Sequence, residues 1–129
     1  MNWTTPYLFK RYDVSAFNCW HLVCQVYREQ LGIELEAYNG IDPRDPLAVG
    51  KQMDLTFTNW TPCDPDTYLA IATMARSRSP FHIGVVVEPG KILHVAEGSN
   101  ACIQSPSDIT AQGFTRIHYY CHAQNLPRS

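Results

Sequence analysis

The chain has 129 residues, of which 45% are hydrophobic and 12% aromatic, and its formal net charge is −2. This length suits one domain with its own core, so we predict a single domain over residues 1–129. Only 17% of the residues are charged and the pI is near 6.2, which excludes the basic surface of a typical nucleic-acid-binding protein.

Two further classes are excluded by what the sequence lacks. No apolar run approaches the roughly 20 residues that would span a bilayer, so we expect no membrane-spanning segment. The first residues lack the basic and apolar regions of a secretory signal, so we expect synthesis in the cytoplasm. Five cysteines, an odd number without the spacing of a disulfide framework, are expected to be reduced.

The first strongly patterned segment is a helix from Cys19 to Leu31. Its apolar residues recur at positions 19, 22, 23, 26, 27 and 31, which gives one buried stripe. Asn18 is a suitable N-cap, and Gly32 suits the position after the last turn. Both ends of the predicted helix are therefore defined.

The remaining elements are shorter. Prolines 43, 46, 62 and 65 interrupt the middle of the chain, and Leu47–Phe57 between them is left open as a short helix. Tyr68–Met74 reads as a buried strand, followed by a polar loop over residues 76–80. His82–Val87 and Lys91–Ala96 flank Glu88, Pro89 and Gly90, which predicts a hairpin. Further strands are expected at Ala101–Gln104 and Thr115–Cys121, so the fold class is α+β with a mostly antiparallel sheet of about five strands.

Cys19 is the candidate nucleophile because it lies in the first turn of the predicted helix. Unpaired amides and the helix dipole favour an anion there, which should lower the pKa of the thiol. The alternative is that Cys19 is a small apolar residue on the buried stripe.

His82 and His94 could supply a base and the group that orients it, provided that they lie on one face of the hairpin. Side chains alternate along a strand, so a regular two-residue turn would pair His94 with Val85 and put the histidines on opposite faces. A three-residue loop or a bulge would instead put His94 opposite Gly84. We therefore predict an odd-length loop or a bulge, with Gly84 leaving space between the imidazoles.

Three segments together resemble the NlpC family of papain-like cell-wall cysteine peptidases. They are Phe17–Val23 around the cysteine, His82–Val87 with its His-x-Gly pattern, and Lys91–Ala96 with its central histidine. The resemblance covers roughly residues 3–122 and is greatest to bacteriophage and prophage tail-associated members. It implies a papain-like fold with an N-terminal, nucleophile-bearing helix packed on the sheet.

The resemblance also implies roles for these residues. Cys19 would be the nucleophile, His82 the base and His94 its orienting partner. Tyr7 stands twelve residues before the cysteine, where the family often places a tyrosine near the nucleophile, and its hydroxyl could serve the oxyanion. The family's Ser-Gly after the cysteine is replaced by Trp20 and His21, which implies a differently lined cleft.

We take Trp20, His21 and Gly84 as further substrate-site candidates, with His21 at the rim of the cleft. His118 and His122 flank Cys121, but on a strand the cysteine would point away from both histidines. No metal site is therefore expected.

The implied function is hydrolysis of the peptide stems of bacterial peptidoglycan, often between D-glutamate and a diamino acid. A phage tail-tip component with this activity would be located in the virion tail and would act at the host periplasm and cell wall. Its partners would be the peptidoglycan peptide and other tail-tip proteins, without a cofactor. Two alternatives stay open: a structural tail-tip protein with a silent or vestigial site, and a thiol-dependent acyl or amide transferase on the same fold.

Overall fold

The computed structural model describes residues 3–42, 44–76 and 82–123. The described chain is α+β, with a six-stranded antiparallel sheet and a few helices. In chain order its main elements are α1 (Cys19–Val26), α2 (Pro46–Phe57), β1 (Thr61–Pro62), β2 (Ile71–Ala75), β3 (His82–Glu88), β4 (Lys91–His94), β5 (Cys102–Gln104), α3 (Pro106–Ala111) and β6 (Arg116–Cys121). None of the described helices is long and apolar enough to cross a membrane.

The predicted helix from Cys19 to Leu31 is confirmed. Asn18 caps α1 with its side-chain oxygen, which accepts hydrogen bonds from the backbone N–H groups of Trp20 and His21. His21 completes a capping box, since its Nδ1 accepts from the Asn18 N–H at 3.3 Å. After Val26 the helix continues as a π-helical turn over Tyr27–Leu31, and Gly32 ends it with a φ of 67°.

The strands lie in the order β1-β6-β2-β3-β4-β5. About five strands were expected, and the sixth is the two-residue β1, which pairs with the end of β6. The strand predicted at Tyr68–Met74 begins at Ile71, because Leu69 has a φ of 59° and so leaves the extended conformation. The segment left open at Leu47–Phe57 is α2, capped by the Asp45 side chain.

The two faces of the sheet carry different layers. Leu22, Val23 and Val26 of α1 pack on the face that holds Ile83 and Val85. The opposite face packs against α3 and the segment that follows it, and its buried residues are Ala72, Met74, Val86, Ile92, Ile109 and Phe114. Paired residues of neighbouring strands share a face, so His82, opposite Met74, and Gly84, opposite Ala72, lie on this second face.

The β3–β4 hairpin contains the irregularity that the histidine spacing required. Val86 pairs with Ile92, but the next pair is Glu88 with Lys91, so Val87 is an extra residue on β3. The turn itself has two residues, and Gly90 adopts a φ of 74° there. The predicted bulge is confirmed, and it brings His94 onto the same face as His82. Of the polar loop predicted at residues 76–80, positions 77–80 lie outside the described residues.

Candidate active site

Three polar side chains form a hydrogen-bonded row across neighbouring strands. His82 Nε2 lies 2.8 Å from His94 Nδ1, and His94 Nε2 lies 2.7 Å from Gln104 Oε1. The three residues belong to β3, β4 and β5, and their side chains share the sheet face away from α1. Both histidines are almost fully buried, with exposed fractions of 6% for His82 and 2% for His94. We name this row the imidazole relay.

The hydrogen bonds of the relay determine the tautomer of each ring. The Gln104 oxygen is an acceptor, so His94 must carry its proton on Nε2. The Nδ1 of a neutral His94 is then an acceptor, and His82 must donate to it from Nε2. Among the described residues, no hydrogen bond engages the remaining nitrogen of His82, Nδ1, so its lone pair is free there. The relay therefore presents one basic nitrogen, and it belongs to His82.

Burial keeps both imidazoles neutral. Burial, together with positive charge on His94 and Arg76, lowers the pKa of His82 to about 3. Burial also lowers the pKa of His94, although the hydrogen bond to Gln104 acts in the opposite direction. The His82 ring stacks on Phe114, with centroids 5.2 Å apart and an interplanar angle of 25°. At neutral pH His82 is therefore unprotonated and a weaker base than an exposed imidazole, and its stacked position restricts where the ring can point.

Cys19 lies at the start of α1, as predicted, but the expected depression of its pKa is wrong. Burial raises the pKa of the thiol to about 11, because a thiolate there would lose its hydration. The backbone N–H groups of Ile83, Trp20 and Cys19 itself act in the opposite direction and lower the pKa by a smaller amount. The thiol is therefore neutral in this conformation, and the amides at the helix start do not outweigh desolvation.

The structure brings Cys19 to the first peptide unit of β3. The N–H group that acts on the thiol belongs to Ile83, the residue directly after His82. Among the described residues, no hydrogen bond joins the thiol to an imidazole of the relay. The thiol thus meets β3 at the Ile83 amide, whereas the His82 imidazole lies on the sheet face away from α1, and the catalytic roles of both residues stay predictions.

Tyr7 does not lie near the thiol. Its hydroxyl donates to Glu29 Oε1 at 2.5 Å, and Glu29 follows Cys19 by ten residues, more than about 10 Å along the helix. Tyr12 lies within electrostatic range of the nucleophile candidate, because charge on Cys19 is, after burial, the next largest influence that raises the pKa of Tyr12. Tyr12 was missed because nothing in its sequence neighbourhood points to the thiol.

Trp20 and His21 occupy different surroundings. Trp20 Nε1 donates to the Glu36 backbone oxygen at 2.7 Å, and the ring lies 5.9 Å from that of Tyr38 between centroids. Both nitrogens of His21 are engaged: Nδ1 accepts in the capping box, so Nε2 carries the proton and donates to Asn39 Oδ1 at 3.1 Å. His21 therefore stabilises the helix start, while Trp20 borders the cleft described next.

A cleft of about 70 Å³ opens beside Cys19, between the start of α1 and one face of α2. Its lining is Asn18, Cys19, Trp20, Ala37, Tyr38, Ile41, Val49, Gln52, Met53, Thr56 and Phe57. The α2 residues recur at intervals of three and four, which is the spacing of one helical face. The nucleophile candidate thus borders a concave surface.

Gly84 lies on β3 where the sequence predicts it, on the same face as the imidazoles of His82 and His94. A Cβ atom there would lie 2.8 Å from Ile92 Cγ2 and 3.0 Å from His94 Cβ. Glycine thus allows β4 to approach closely enough for the two imidazoles to bond. The close approach serves the relay, and no contact with a substrate is needed to explain it.

Gln104 was missed by sequence reasoning. It stands in a strand that was predicted, but its position beside His94 depends on the pairing of Ile92 with Gln104 in the β4–β5 register.

Within the described residues, no three His, Cys, Asp or Glu side chains gather where they could hold a metal ion. His118 is exposed on β6, whereas Cys121 is buried.

Comparisons with known proteins add no information about the chemistry of this site. No protein-family model matches the chain, and no curated protein matches it either.

Proposed function

We propose that this chain is a papain-like, NlpC-type cysteine peptidase that hydrolyses the peptide stems of bacterial peptidoglycan. The observation that carries the proposal is the imidazole relay, which leaves His82 with a neutral Nδ1, next in sequence to Ile83, whose N–H acts on the thiol of the helix-start Cys19. The three sequence segments of the resemblance contain Cys19, His82 and His94, and the substrate class comes from that resemblance.

The reaction begins with attack of Cys19 Sγ on the carbonyl carbon of the scissile amide. The thiol proton passes to His82 Nδ1, which requires that Cys19 Sγ and this nitrogen come within hydrogen-bond distance of each other. The N–H groups of Cys19 and Ile83, which lower the thiol pKa in the resting state, can then donate to the carbonyl oxygen as it gains negative charge. Tyr7 has no part in this oxyanion site.

Collapse of the tetrahedral intermediate breaks the C–N bond, and the leaving amine takes the proton from His82. Water then attacks the thioester while His82 accepts a proton from it. The C–S bond breaks, the acid product leaves, and Cys19 regains its proton. Throughout, His94 holds His82 in the tautomer with a proton on Nε2, and Gln104 holds His94.

The biological setting follows from the same resemblance. A phage tail tip that opens the host wall would place this domain in the virion, in contact with other tail-tip proteins and with stem peptides. The competing candidate is a structural tail-tip domain with a silent site. The raised pKa of Cys19 and its position off the relay favour that candidate.

The test is digestion of purified peptidoglycan, with new amino groups counted and fragments weighed by mass spectrometry. Cys19→Ala and His82→Asn should each abolish the release of new amines. Cys24→Ala is the matched control, since Cys24 is a partly buried thiol on the same helix, whose Sγ lies 3.8 Å from the Glu36 oxygen. Equal digestion by wild type and Cys19→Ala, or none by wild type, would reject the proposal and favour the structural candidate.

A further inference from the structure

We propose that the cleft beside Cys19 is the acyl-side subsite and that it takes a small, uncharged aliphatic side chain. This inference rests on the proposed function, because it concerns the residue whose carbonyl Cys19 attacks. Cys19 is itself part of the cleft wall. A substrate whose carbonyl carbon meets Sγ therefore has one substituent at the entrance of the cleft.

Among the residues that the structure describes, no charged side chain lines the cleft. Seven of its residues are hydrophobic besides the cysteine: Trp20, Ala37, Tyr38, Ile41, Val49, Met53 and Phe57. The other three are the neutral polar residues Asn18, Gln52 and Thr56. A carboxylate or an ammonium group that entered would lose its hydration without gaining an ionic partner.

The neutral polar residues are already bonded to one another or to the backbone. Gln52 Nε2 donates to Thr56 Oγ1 at 3.1 Å, and Thr56 Oγ1 donates to the Tyr38 hydroxyl at 3.2 Å. Asn18 uses its oxygen to cap α1 and its amide nitrogen to donate to the Val14 oxygen. These bonds engage the Asn18 amide, the Gln52 nitrogen and the Thr56 hydroxyl, and the polar groups that line the cleft are neutral, so the cleft offers mainly shape and apolar contact.

Tyr38 gives independent support for a shaped subsite. Its φ is 52°, in the left-handed region that a bulky non-glycine residue rarely adopts. The hydrogen bond from Thr56 and the contact with the Trp20 ring hold the side chain at the cleft. Backbone strain of this kind is kept where the surrounding contacts determine the position of a side chain.

The size of the cleft limits the occupant. A volume of about 70 Å³ is about half that of an apolar cavity of roughly 150 Å³ that binds benzene, so it suits an occupant of roughly three carbon atoms. Alanine and 2-aminobutyrate fit this description, whereas glutamate exceeds it and adds a charge. The inferred bond follows an alanine-like residue, in contrast to the D-glutamyl bond that the family resemblance implies.

The hydrolysis test uses acetylated aminoacyl-coumarin amides that differ only in the acyl-side residue: glycine, alanine, 2-aminobutyrate, leucine, glutamate and lysine. We expect kcat/KM to rise roughly tenfold from glycine to alanine. For the glutamate and lysine substrates, kcat/KM should be lower than for the alanine substrate by roughly a hundredfold or more. Cleavage of glutamate as fast as alanine in a reaction that Cys19→Ala abolishes would overturn the subsite and leave the proposed function intact.

Filling the cleft gives the matched variants. Val49→Phe and Ala37→Leu occupy it from two different segments, so they should remove the advantage of alanine over glycine. Leu47→Phe is the control, because Leu47 lies on the same helix as Val49 and is 81% exposed. An undiminished preference for alanine in both filling variants would overturn the assignment.

A second readout does not require hydrolysis. Propyl, sulfonatoethyl and trimethylammonioethyl methanethiosulfonates are reacted with the protein, and the modification of Cys19 is followed by peptide mass spectrometry. Relative to free cysteine, the propyl reagent should react at least roughly tenfold faster than either charged reagent, and Val49→Phe should remove the difference. If all three reagents modified Cys19 at the same rate relative to free cysteine, the apolar subsite would be overturned directly. A propyl preference without hydrolysis of any amide would instead overturn the proposed function, and the acyl-side assignment with it.

Discussion

At the scale of single residues, His94 transmits the influence of Gln104 to His82. Its two nitrogens have opposite roles, since Nε2 donates to Gln104 and Nδ1 accepts from His82. The tautomer of the candidate base therefore depends on an amide two strands away. Gln104 is a positioning residue in this scheme, because it would act on the substrate through His94 and His82.

We expect Gln104→Ala to lower kcat by about tenfold to a hundredfold with little change in KM. Without the acceptor, the Nε2–H tautomer of His94 is no longer favoured, so His82 spends less time with a free Nδ1. Kinetics on a peptide substrate and imidazole ¹⁵N NMR, which distinguishes the tautomers, measure the two effects separately.

Gln104→Glu restores an acceptor at the same place and should recover most of kcat. Gln112→Ala is the control, because it removes the same side chain from an exposed position. If the proportions of the two His94 tautomers were the same in wild type and in Gln104→Ala, the positioning role of Gln104 would be contradicted.

Most of the candidate site at this scale can be read from the sequence. Cys19, His82 and His94 are found by helix punctuation and by strand parity. Gln104, Tyr12 and the Ile83 amide are not, because their positions depend on the β4–β5 register and on how the start of the chain packs. The thiol pKa was misjudged for a similar reason: the helix start is visible in the sequence, whereas the burial that dominates is not.

At the scale of elements, the β3–β4 hairpin determines whether the relay can form. Val87 is the extra residue that shifts the register, and Gly84 permits the close approach of the strands. The sequence predicts both features once the histidines are required to share a face. It does not predict that β2 begins only after Leu69, because nothing in the neighbouring sequence indicates that this leucine adopts a left-handed backbone conformation.

Gly84→Ala should destabilise the protein by about 1–3 kcal/mol. The new Cβ would lie 2.8 Å from Ile92 Cγ2 and 2.9 Å from the Leu93 oxygen, so β4 must move away from β3. Urea denaturation measures the loss, and imidazole NMR should show that the hydrogen bond between His82 and His94 is weakened.

Gly40→Ala is the control, since a Cβ there meets nothing within 4 Å. Its free energy of unfolding should stay within about 0.5 kcal/mol of wild type. If the two alanine variants were equally stable, close packing at Gly84 would not be what sets the strand spacing.

At the scale of the whole molecule, the buried relay links folding to pH. The pKa values of His82 and His94 are lowered in the folded state from an ordinary value of 6.5, whereas unfolding returns them to that value. Below pH 6.5 the unfolded chain therefore binds more protons than the folded one. The stability from these groups is present above pH 6.5 and is lost as the pH falls towards their folded pKa values.

We expect the free energy of unfolding to fall between pH 6.5 and pH 5, with a limiting slope of about 1.4 kcal/mol per pH unit for each linked histidine. This window lies above the range where Asp13 and Glu29, whose pKa values are also lowered, begin to contribute. Urea titrations at several pH values measure the slope.

His94→Asn should reduce the slope, because it removes one of the two buried imidazoles of the relay. His82 remains in this variant, and burial also lowers the pKa of His122, so part of the slope should persist. A slope that is identical in wild type and His94→Asn would show that the relay does not carry the linkage.

The sequence by itself determined the helix from Cys19 to Leu31, the α+β class and the parity that unites His82 with His94. These follow from periodicity, caps and side-chain alternation, which are local properties of the chain. Only the tertiary structure decided which neighbours those residues meet. Gln104 reaches His94 through strand register, the thiol is desolvated by packing around α1, and α2 closes the cleft beside Cys19. These outcomes depend on contacts between segments far apart in sequence, which local patterns do not specify.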